Sequence, residues 1–224
     1  MTFADRVLAF YRTLDISVKL PDDIGVMNPY RDADTMAACE AFYRRFYNDT
    51  RERILILGIN PGRYGAGVTG IPFTDPIKLE AHFGISTPLA KKPELSAEFM
   101  HRMMTAFGGY ERFFSHFFIN SVSPLGFVRN GKNLNYYDTP ALKNALEPYI
   151  RESLKKLVDL NVKTDIAFCL GEGENFRYLT KLNEKMKVFK SILPLAHPRF
   201  IMQYRRKRID EYVDNYVTKF EEAL

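Results

Sequence analysis

Apolar residues along this chain form two patterns, short continuous runs and longer segments in which they recur at helical spacing. Short continuous runs predict strands buried on both faces of a parallel sheet, and they cover residues 53–59, 117–120, 165–170 and 191–196. Helical spacing and capping residues predict helices at residues 2–14, 34–47, 76–83, 98–107, 110–116, 138–160, 171–183 and 209–220. Asp34 is the predicted cap of the second helix, and Thr139 or Asp138 that of the sixth.

Strands that alternate with helices along a chain predict a mostly parallel sheet between helical layers. We therefore expect an α/β fold with three αβα layers and a central four-stranded sheet. The 224 residues suit one domain spanning residues 1–224, because no repeat, linker or low-complexity tract divides them.

Composition narrows the class of protein only moderately. A hydrophobic fraction of 46% and a charged fraction of 26% are ordinary for a soluble globular chain. The net charge of +5 leans mildly toward polyanionic partners. Cys39 and Cys169 lie in separate apolar segments, so we expect reduced core thiols and no zinc site. No signal peptide or membrane span is evident, and we expect a cytoplasmic protein.

The most informative stretch runs from Ile54 to Phe73. It predicts a buried strand that ends at Asn60, a tight Pro61-Gly62 turn, and a glycine-rich loop that leads to Phe73. In open α/β sheets, ligand sites lie just beyond the carboxyl ends of the strands, and glycines let the backbone approach a ligand closely. Asn60 is therefore predicted to lie in a functional site.

Polar side chains follow three of the four predicted strands near a proline. These are Asn60 before Pro61, Asn120 shortly before Pro124, and His197 before Pro198. Because carboxyl ends of parallel strands share one edge, we expect the three side chains to line a single cleft. An amide can read a donor–acceptor pair on a base edge, a histidine can donate to a developing anion, and an aromatic ring can stack on a flat ligand.

These residues carry a family resemblance. The segment 60–73 resembles the first motif of the uracil-DNA glycosylase superfamily, in its single-strand-selective monofunctional (SMUG-type) branch. Asn120 with the following Ser-Val-Ser-Pro-Leu is similar to the base-reading strand end of that family, and His197-Pro198-Arg199 to its second motif. The likeness covers about residues 50–210.

The resemblance implies an enzyme that flips uracil out of DNA, hydrolyses its N-glycosidic bond and leaves an abasic site. His197 would stabilise charge on the leaving pyrimidine, and Asn60 would orient the attacking water. Asn120 would hydrogen-bond the base edge and Phe73 would stack beneath it. Further implied substrate contacts are Ile59, Gly62, Tyr64 and Gly65.

Two details of the motif refine the implied activity. Gly62 stands where the strictly uracil-specific branch has a tyrosine, so 5-substituted uracils are an implied second substrate. No lysine nucleophile accompanies Asn60, which implies a monofunctional enzyme without lyase activity. The resemblance implies no metal and no organic cofactor.

The second motif is shorter than the usual His-Pro-Ser-Pro-Arg-Asn-Pro, which leaves the identity of the DNA-inserting residue open. From their position, Arg199 and Phe200 are the candidates for insertion into the gap left by the flipped base. Nearby, Arg205, Arg206, Lys207 and Arg208 form a cationic run near the amino end of the last helix. Cations there oppose the helix dipole by ~0.3–1 kcal/mol each, which favours phosphate contacts over a purely structural role.

Parts of the same pattern also match the motifs of other protein classes. Gly65–Gly70 matches the dinucleotide-binding G-x-G-x-x-G, but no helix follows it, and Val68 stands where a P-loop needs its lysine. The mismatch-specific branch of the superfamily shares Gly-Ile-Asn-Pro-Gly, whereas segment 69–73 and His197-Pro198 favour the SMUG-type branch. An inactive nucleic-acid-binding domain of the same fold is the remaining alternative. We expect a monomer that binds single- or double-stranded DNA containing uracil or another damaged base.

Overall fold

Ten α-helices and seven β-strands make up the computed structural model, which describes residues 1–224. The helices are α1 (Phe3–Arg12), α2 (Ala33–Phe46), α3 (Ala66–Thr69), α4 (Pro76–Phe83), α5 (Leu95–Ala106), α6 (Tyr110–His116), α7 (Pro140–Val158), α8 (Glu174–Met186), α9 (Pro198–Tyr204) and α10 (Ile209–Glu221). The strands are β1 (Gly25–Met27), β2 (Arg53–Gly58), β3 (Phe117–Ser121), β4 (Gly126–Arg129), β5 (Lys132–Leu134), β6 (Val162–Leu170) and β7 (Ser191–Leu195). None of the helices is both long enough and apolar enough to cross a membrane.

The central sheet has four parallel strands in the order β3-β2-β6-β7. Helices cover both faces, as two neighbouring residues of β3 show. The Phe118 ring packs 5.1 Å from Phe3 of α1, while the Phe117 ring packs 4.6 Å from Phe220 of α10. Adjacent residues of a strand point to opposite faces, so these contacts define helical layers above and below the sheet. The predicted three-layer αβα fold is confirmed.

A second, three-stranded antiparallel sheet in the order β1-β4-β5 was not predicted. Its strands are short and lack a continuous apolar run. Asn130 and Gly131 join β4 to β5 with positive φ angles of 50° and 69°. Asn-Gly is the dipeptide that favours such two-residue hairpins, so the sequence did contain a signal for it. This hairpin carries residues 132–136 to the carboxyl edge of the central sheet.

Several helix termini differ from the predictions. The cap of α2 is Asp32, whose side chain accepts a 2.8 Å hydrogen bond from the Thr35 amide, so the assignment to Asp34 was wrong. Both residues suit an N-cap, and the sequence alone does not separate them. Thr139 caps α7, as one of the two predicted alternatives. Helix α9 was not predicted and directly follows His197.

Candidate functional site

A cleft of about 540 Å³ opens at the carboxyl edge of the central sheet. Ile59 and Asn60 reach it from the end of β2, Ser121 from the end of β3, and His197 from just beyond β7. Phe73 lines it from the short loop, residues 70–75, between α3 and α4. The structure therefore brings Asn60, His197 and Phe73 together in one cavity, at the sheet edge where the sequence placed them.

Asn60 is held in one orientation by backbone groups. Its Oδ1 atom accepts a 3.0 Å hydrogen bond from the amide of Tyr136, and its Nδ2 atom donates to the Leu134 carbonyl at 3.1 Å. The amide cannot rotate without breaking both bonds. Oδ1 has two lone pairs and only one protein donor, so it can accept a second hydrogen bond from a water.

His197 is the N-cap of α9, and this role fixes its tautomer. Its Nδ1 atom accepts a 3.1 Å hydrogen bond from the Arg199 amide, so the ring proton of the neutral side chain is on Nε2. Nε2 has no protein partner. Burial, followed by the nearby Arg199 charge, lowers the pKa of His197 to about 4. At neutral pH the cleft therefore contains an uncharged imidazole with an N–H free to donate.

Phe73 has a strained backbone. Its φ of 54° lies in the left-handed region that bulky residues avoid. The buried Thr69 hydroxyl holds this turn, because it donates to the Thr74 carbonyl at 2.6 Å and accepts from the Ile71 amide at 3.2 Å. The Phe73 ring lies 6.2 Å from the His197 ring, with the two planes inclined at 56°.

Asn120 does not line the cleft, and the prediction that it would do so was wrong. Its side chain is buried on the opposite face of β3, where Nδ2 donates to the Tyr11 hydroxyl of α1 at 3.1 Å. Side chains alternate along a strand, so the next residue, Ser121, points toward the cleft instead. Because β3 is buried on both faces, its sequence has no polar alternation to distinguish the two residues.

The other predicted contacts divide between the cleft and its surroundings. Gly62 lines the cleft, and a Cβ at this position would meet only the side-chain nitrogen Nδ2 of Asn133, at 3.5 Å. Tyr64 lines a neighbouring cavity instead of the cleft. Gly65 packs directly against the carboxyl group of Glu94, so a Cβ at this position would collide with that group.

Glu94 is a cleft residue that the sequence reading missed. It lies in a loop without any recognisable motif, and only the folded chain brings it beside the first-motif glycines. Its Oε2 atom is buried without a hydrogen-bond partner. Burial, followed by the charge of Asp75, raises the pKa of Glu94 to about 7. Ser121, Asn133 and Asn135 line the same cleft and were missed as well.

Arg199 and Phe200, in the first turn of α9, line the cleft as well. Tyr204, at the end of α9, lies there too and was not predicted. Phe200 and Tyr204 expose 39% and 65% of their surface, and their ring centroids are 5.7 Å apart. Two adjacent exposed aromatic rings offer a surface on which nucleic-acid bases can stack.

The cationic run lies between two helices, and Arg208, as the N-cap of α10, lies at the amino end of the last helix as predicted. Arg205 is the C-cap of α9, where a cation is favoured, and residues 206–208 form a 3₁₀ turn before α10. Arg206 pairs with Glu98 at 3.0 Å, and Arg208 with Glu211 at 2.6 Å. Arg205 and Lys207 make no ion pair, so they are the cations of the run that are free to contact phosphates.

No group of three or more histidine, cysteine, aspartate or glutamate side chains is arranged to hold a metal ion. The polar and aromatic groups of the site are amides, an imidazole, hydroxyls and aromatic rings, with one carboxyl group and the guanidinium of Arg199.

Known proteins resemble this chain in sequence and in structure. The family model of the uracil DNA glycosylase superfamily matches residues 45–221. The single-strand selective monofunctional uracil DNA glycosylase of Mus musculus is 28% identical in an alignment of 142 positions that covers 55% of this chain and 50% of that protein. The Rattus norvegicus protein of the same description is 27% identical over equal shares. The chain thus spans about half the length of the curated relatives it matches.

The structural similarity extends over the whole chain. The crystal structure of wild-type SMUG2 from Pedobacter heparinus matches with a TM-score of 0.97 and 46% sequence identity, over 100% of this chain and 98% of that one. The family model covers Asn60, Phe73 and His197 together. The chain belongs to the uracil DNA glycosylase superfamily.

Proposed function

We propose that this protein is a monofunctional uracil-DNA glycosylase that acts in DNA repair on uracil flipped out of the strand. The observation that carries the proposal is the unpartnered Nε2–H of a neutral His197, in the same cleft as Asn60 and Phe73. The descriptions of the Mus musculus and Rattus norvegicus relatives support the same activity.

Cleavage of the glycosidic bond leaves its electron pair on the pyrimidine, and the negative charge spreads onto the carbonyl oxygens of the base. A neutral imidazole N–H aimed at such an oxygen stabilises the charge as it develops. His197 performs this step without changing its protonation state, since its lowered pKa keeps the ring neutral at pH 7. One such donor typically contributes ~10²–10³ in rate.

The sugar becomes an oxocarbenium ion, which water attacks at C1′. Asn60 accepts a hydrogen bond from this water through Oδ1, and the bonds to Tyr136 and Leu134 keep that oxygen in place. An amide does not remove the proton of the water. Asn60 is therefore a positioning group for an attack on a cation that has already formed, and the proton leaves to solvent.

Phe73 stacks on the pyrimidine ring, and Ser121 takes the hydrogen-bonding role at the base edge that the sequence assigned to Asn120. The hydroxyl of Ser121 both donates and accepts, so it fits either a carbonyl or an imino N–H. Gly62 leaves room beside the base, and we infer that 5-substituted uracils are also accepted.

The DNA strand lies across the mouth of the cleft. Phe200 and Tyr204 supply stacking surface, while Arg199, Arg205 and Lys207 contact phosphates. Exposed aromatic rings with nearby cations are typical of proteins that bind single strands. We therefore infer a preference for single-stranded DNA and place Phe200 as the residue that fills the gap left by the flipped base.

The cellular setting follows from one further feature. Cys39 and Cys169 are buried and unpaired, which supports a reducing compartment such as the cytoplasm. We also infer that the enzyme acts as a monomer.

The activity is tested by incubating the protein, in the presence of EDTA, with matched single-stranded and duplex oligonucleotides that contain one uracil. Free uracil is quantified by mass spectrometry, and abasic sites are revealed by alkali. We expect stoichiometric uracil and abasic sites, with faster release from the single strand. Tight binding without any base release would overturn the proposal in favour of an inactive binding domain.

A further inference from the structure

A second cavity of about 410 Å³ adjoins the cleft. The two cavities share Gly62, Glu94 and Arg199 as a common wall, so a chain lying in one can continue into the other. The second cavity is lined further by Arg63, Tyr64 and Lys132. The proposed chemistry uses the first cavity and leaves the second without a role.

The cations around this second cavity are free of acidic partners. Arg63, Lys132 and Arg199 make no ion pair, although many surface arginines of the protein do, as Arg206 does with Glu98. Arg63 is instead held by the backbone carbonyl of Gly131, at the β4–β5 turn. Cations beside a cavity that make no ion pair attract phosphate groups.

The same cavity has a flat surface of the size of a nucleobase. The Arg63 guanidinium lies 4.7 Å from the centroid of the Tyr64 ring, and Tyr64 remains 38% exposed. Unpaired bases stack both on aromatic rings and on guanidinium planes. The Arg63–Tyr64 pair therefore offers a stacking platform outside the cleft in which uracil would bind.

Glu94 supplies a hydrogen-bond acceptor at the wall between the cavities. Its Oε2 atom is buried and has no partner, and its side chain makes no capping bond to α5 although it occupies the N-cap position. Its backbone amide donates to the buried Asp75 at 2.9 Å, which fixes this part of the loop. A buried acceptor without a partner is costly, and a donor delivered by a ligand removes that cost.

We propose that the second cavity is a subsite for the nucleotide adjacent to the flipped uracil, and that Glu94 gives it a preference for guanine. The inference rests on the proposed function, because it concerns the same strand of DNA. Among the four bases only guanine presents two neighbouring N–H donors, N1–H and N2–H, on its Watson–Crick edge. Above about pH 7, where Glu94 is ionised, its carboxylate accepts both at once. The base stacks on the Arg63–Tyr64 pair while Lys132 and Arg199 contact the phosphates.

The test uses single-stranded oligonucleotides in which one neighbour of uracil, on either side in turn, is guanine, thymine or a tetrahydrofuran abasic residue. The abasic residue removes the base and keeps the phosphates. For the wild type we expect kcat/KM to fall at least about fivefold when one flanking base is removed. In Tyr64→Ala this fall should disappear, because the stacking partner is gone.

Glu94→Gln tests the base preference separately. The wild type should favour guanine over thymine at the sensitive side, and Glu94→Gln should favour neither, since an amide offers only one acceptor. Lys181→Ala is the matched control, because Lys181 is exposed, makes no ion pair and lines neither cavity. It should behave as the wild type does.

Binding of the same oligonucleotides, followed by fluorescence anisotropy, separates this proposal from the proposed function. If binding depended on the flanking base but no uracil were released, the glycosylase activity would be contradicted and the subsite proposal would stand. If neither base release nor binding depended on the flanking base, the subsite proposal would be overturned and the glycosylase activity would stand. An equal loss on base removal in wild type and Tyr64→Ala would also overturn it.

Discussion

The side-chain oxygen of Asn60 accepts a 3.0 Å hydrogen bond from the amide of Tyr136, a residue 76 positions further along the chain. Tyr136 is itself fixed, because its hydroxyl donates to Asn175 of α8 at 2.8 Å. Asn175 in turn donates to the Gly58 carbonyl at 3.3 Å, at the end of the strand that carries Asn60. The orientation of Asn60 thus depends on a closed set of hydrogen bonds between three separate parts of the chain.

Tyr136→Phe tests whether this set of bonds positions the water-binding group. The substitution removes the hydroxyl and leaves Asn175 partly unsatisfied, which should lower the free energy of unfolding by about 1 kcal/mol. We expect kcat for uracil release to fall several-fold while KM stays unchanged. Denaturant unfolding and steady-state kinetics measure the two effects. A fall in stability with unchanged kcat would show that the bond to Asn175 is only structural.

Asn120 and Ser121 provide a matched pair on neighbouring positions of β3. Asn120→Ala leaves the buried Tyr11 hydroxyl with one partner fewer, so it should cost about 1–3 kcal/mol of stability and leave kcat/KM of the folded enzyme unchanged. Ser121→Ala should do the reverse, with a lower kcat/KM and nearly unchanged stability. The opposite pattern would restore Asn120 as the residue that reads the base.

Glu94 makes stability depend on pH in a direction set by its raised pKa. The folded protein holds this proton up to about pH 7, whereas the ordinary value is 4.5. Between these values the folded state binds more protons than the unfolded state, so stability falls as the pH rises and stays lower above 7. His197 acts in the opposite sense at lower pH, because its pKa is lowered to about 4.

Comparison with Glu94→Gln isolates the contribution of this carboxyl group. The stability of the variant relative to the wild type should increase by roughly 2–3 kcal/mol from pH 4.5 to pH 7.5, because each unit of pKa difference between the folded and unfolded states corresponds to ~1.4 kcal/mol. Urea unfolding at a series of pH values measures the difference. A difference that does not change with pH would contradict the raised pKa.

The cationic run should divide into two functional pairs. Arg205 and Lys207 make no ion pair, so their joint replacement by alanine should reduce the slope of log K against log salt by about 1.4 for a single strand. Arg206 and Arg208 are paired with Glu98 and Glu211, and the corresponding double variant should change the slope less. Fluorescence anisotropy across a salt series measures both slopes, and equal changes would contradict the division.

Local sequence patterns were sufficient for much of this architecture. The continuous apolar run before Asn60 predicted β2, and the predicted helices at residues 76–83 and 110–116 coincide with the observed bounds of α4 and α6, Pro76–Phe83 and Tyr110–His116. The placement of Asn60 and His197 followed from a rule of parallel sheets, because polar residues that end parallel strands meet at one edge. These features depend on residues that are close in sequence or on a general property of the fold.

The remaining features depend on contacts between distant segments. Nothing near Glu94 marks it as a cleft residue, since its position depends on the packing of its loop against Gly65. The bond between Asn60 and Tyr136 links segments that only the β4–β5 hairpin brings together. The assignment of Asn120 was wrong because a strand buried on both faces gives no local sign of which side faces a cavity.

The measurement that tests the central claim most directly compares single-turnover uracil release by wild type, His197→Ala and Asn60→Ala on single-stranded DNA in EDTA. Circular dichroism and thermal unfolding first establish that both variants are folded. We expect efficient release by the wild type and a loss of about 10²–10³ in rate for His197→Ala, with a comparable loss for Asn60→Ala. Release by both folded variants at the wild-type rate would contradict the catalytic roles assigned here.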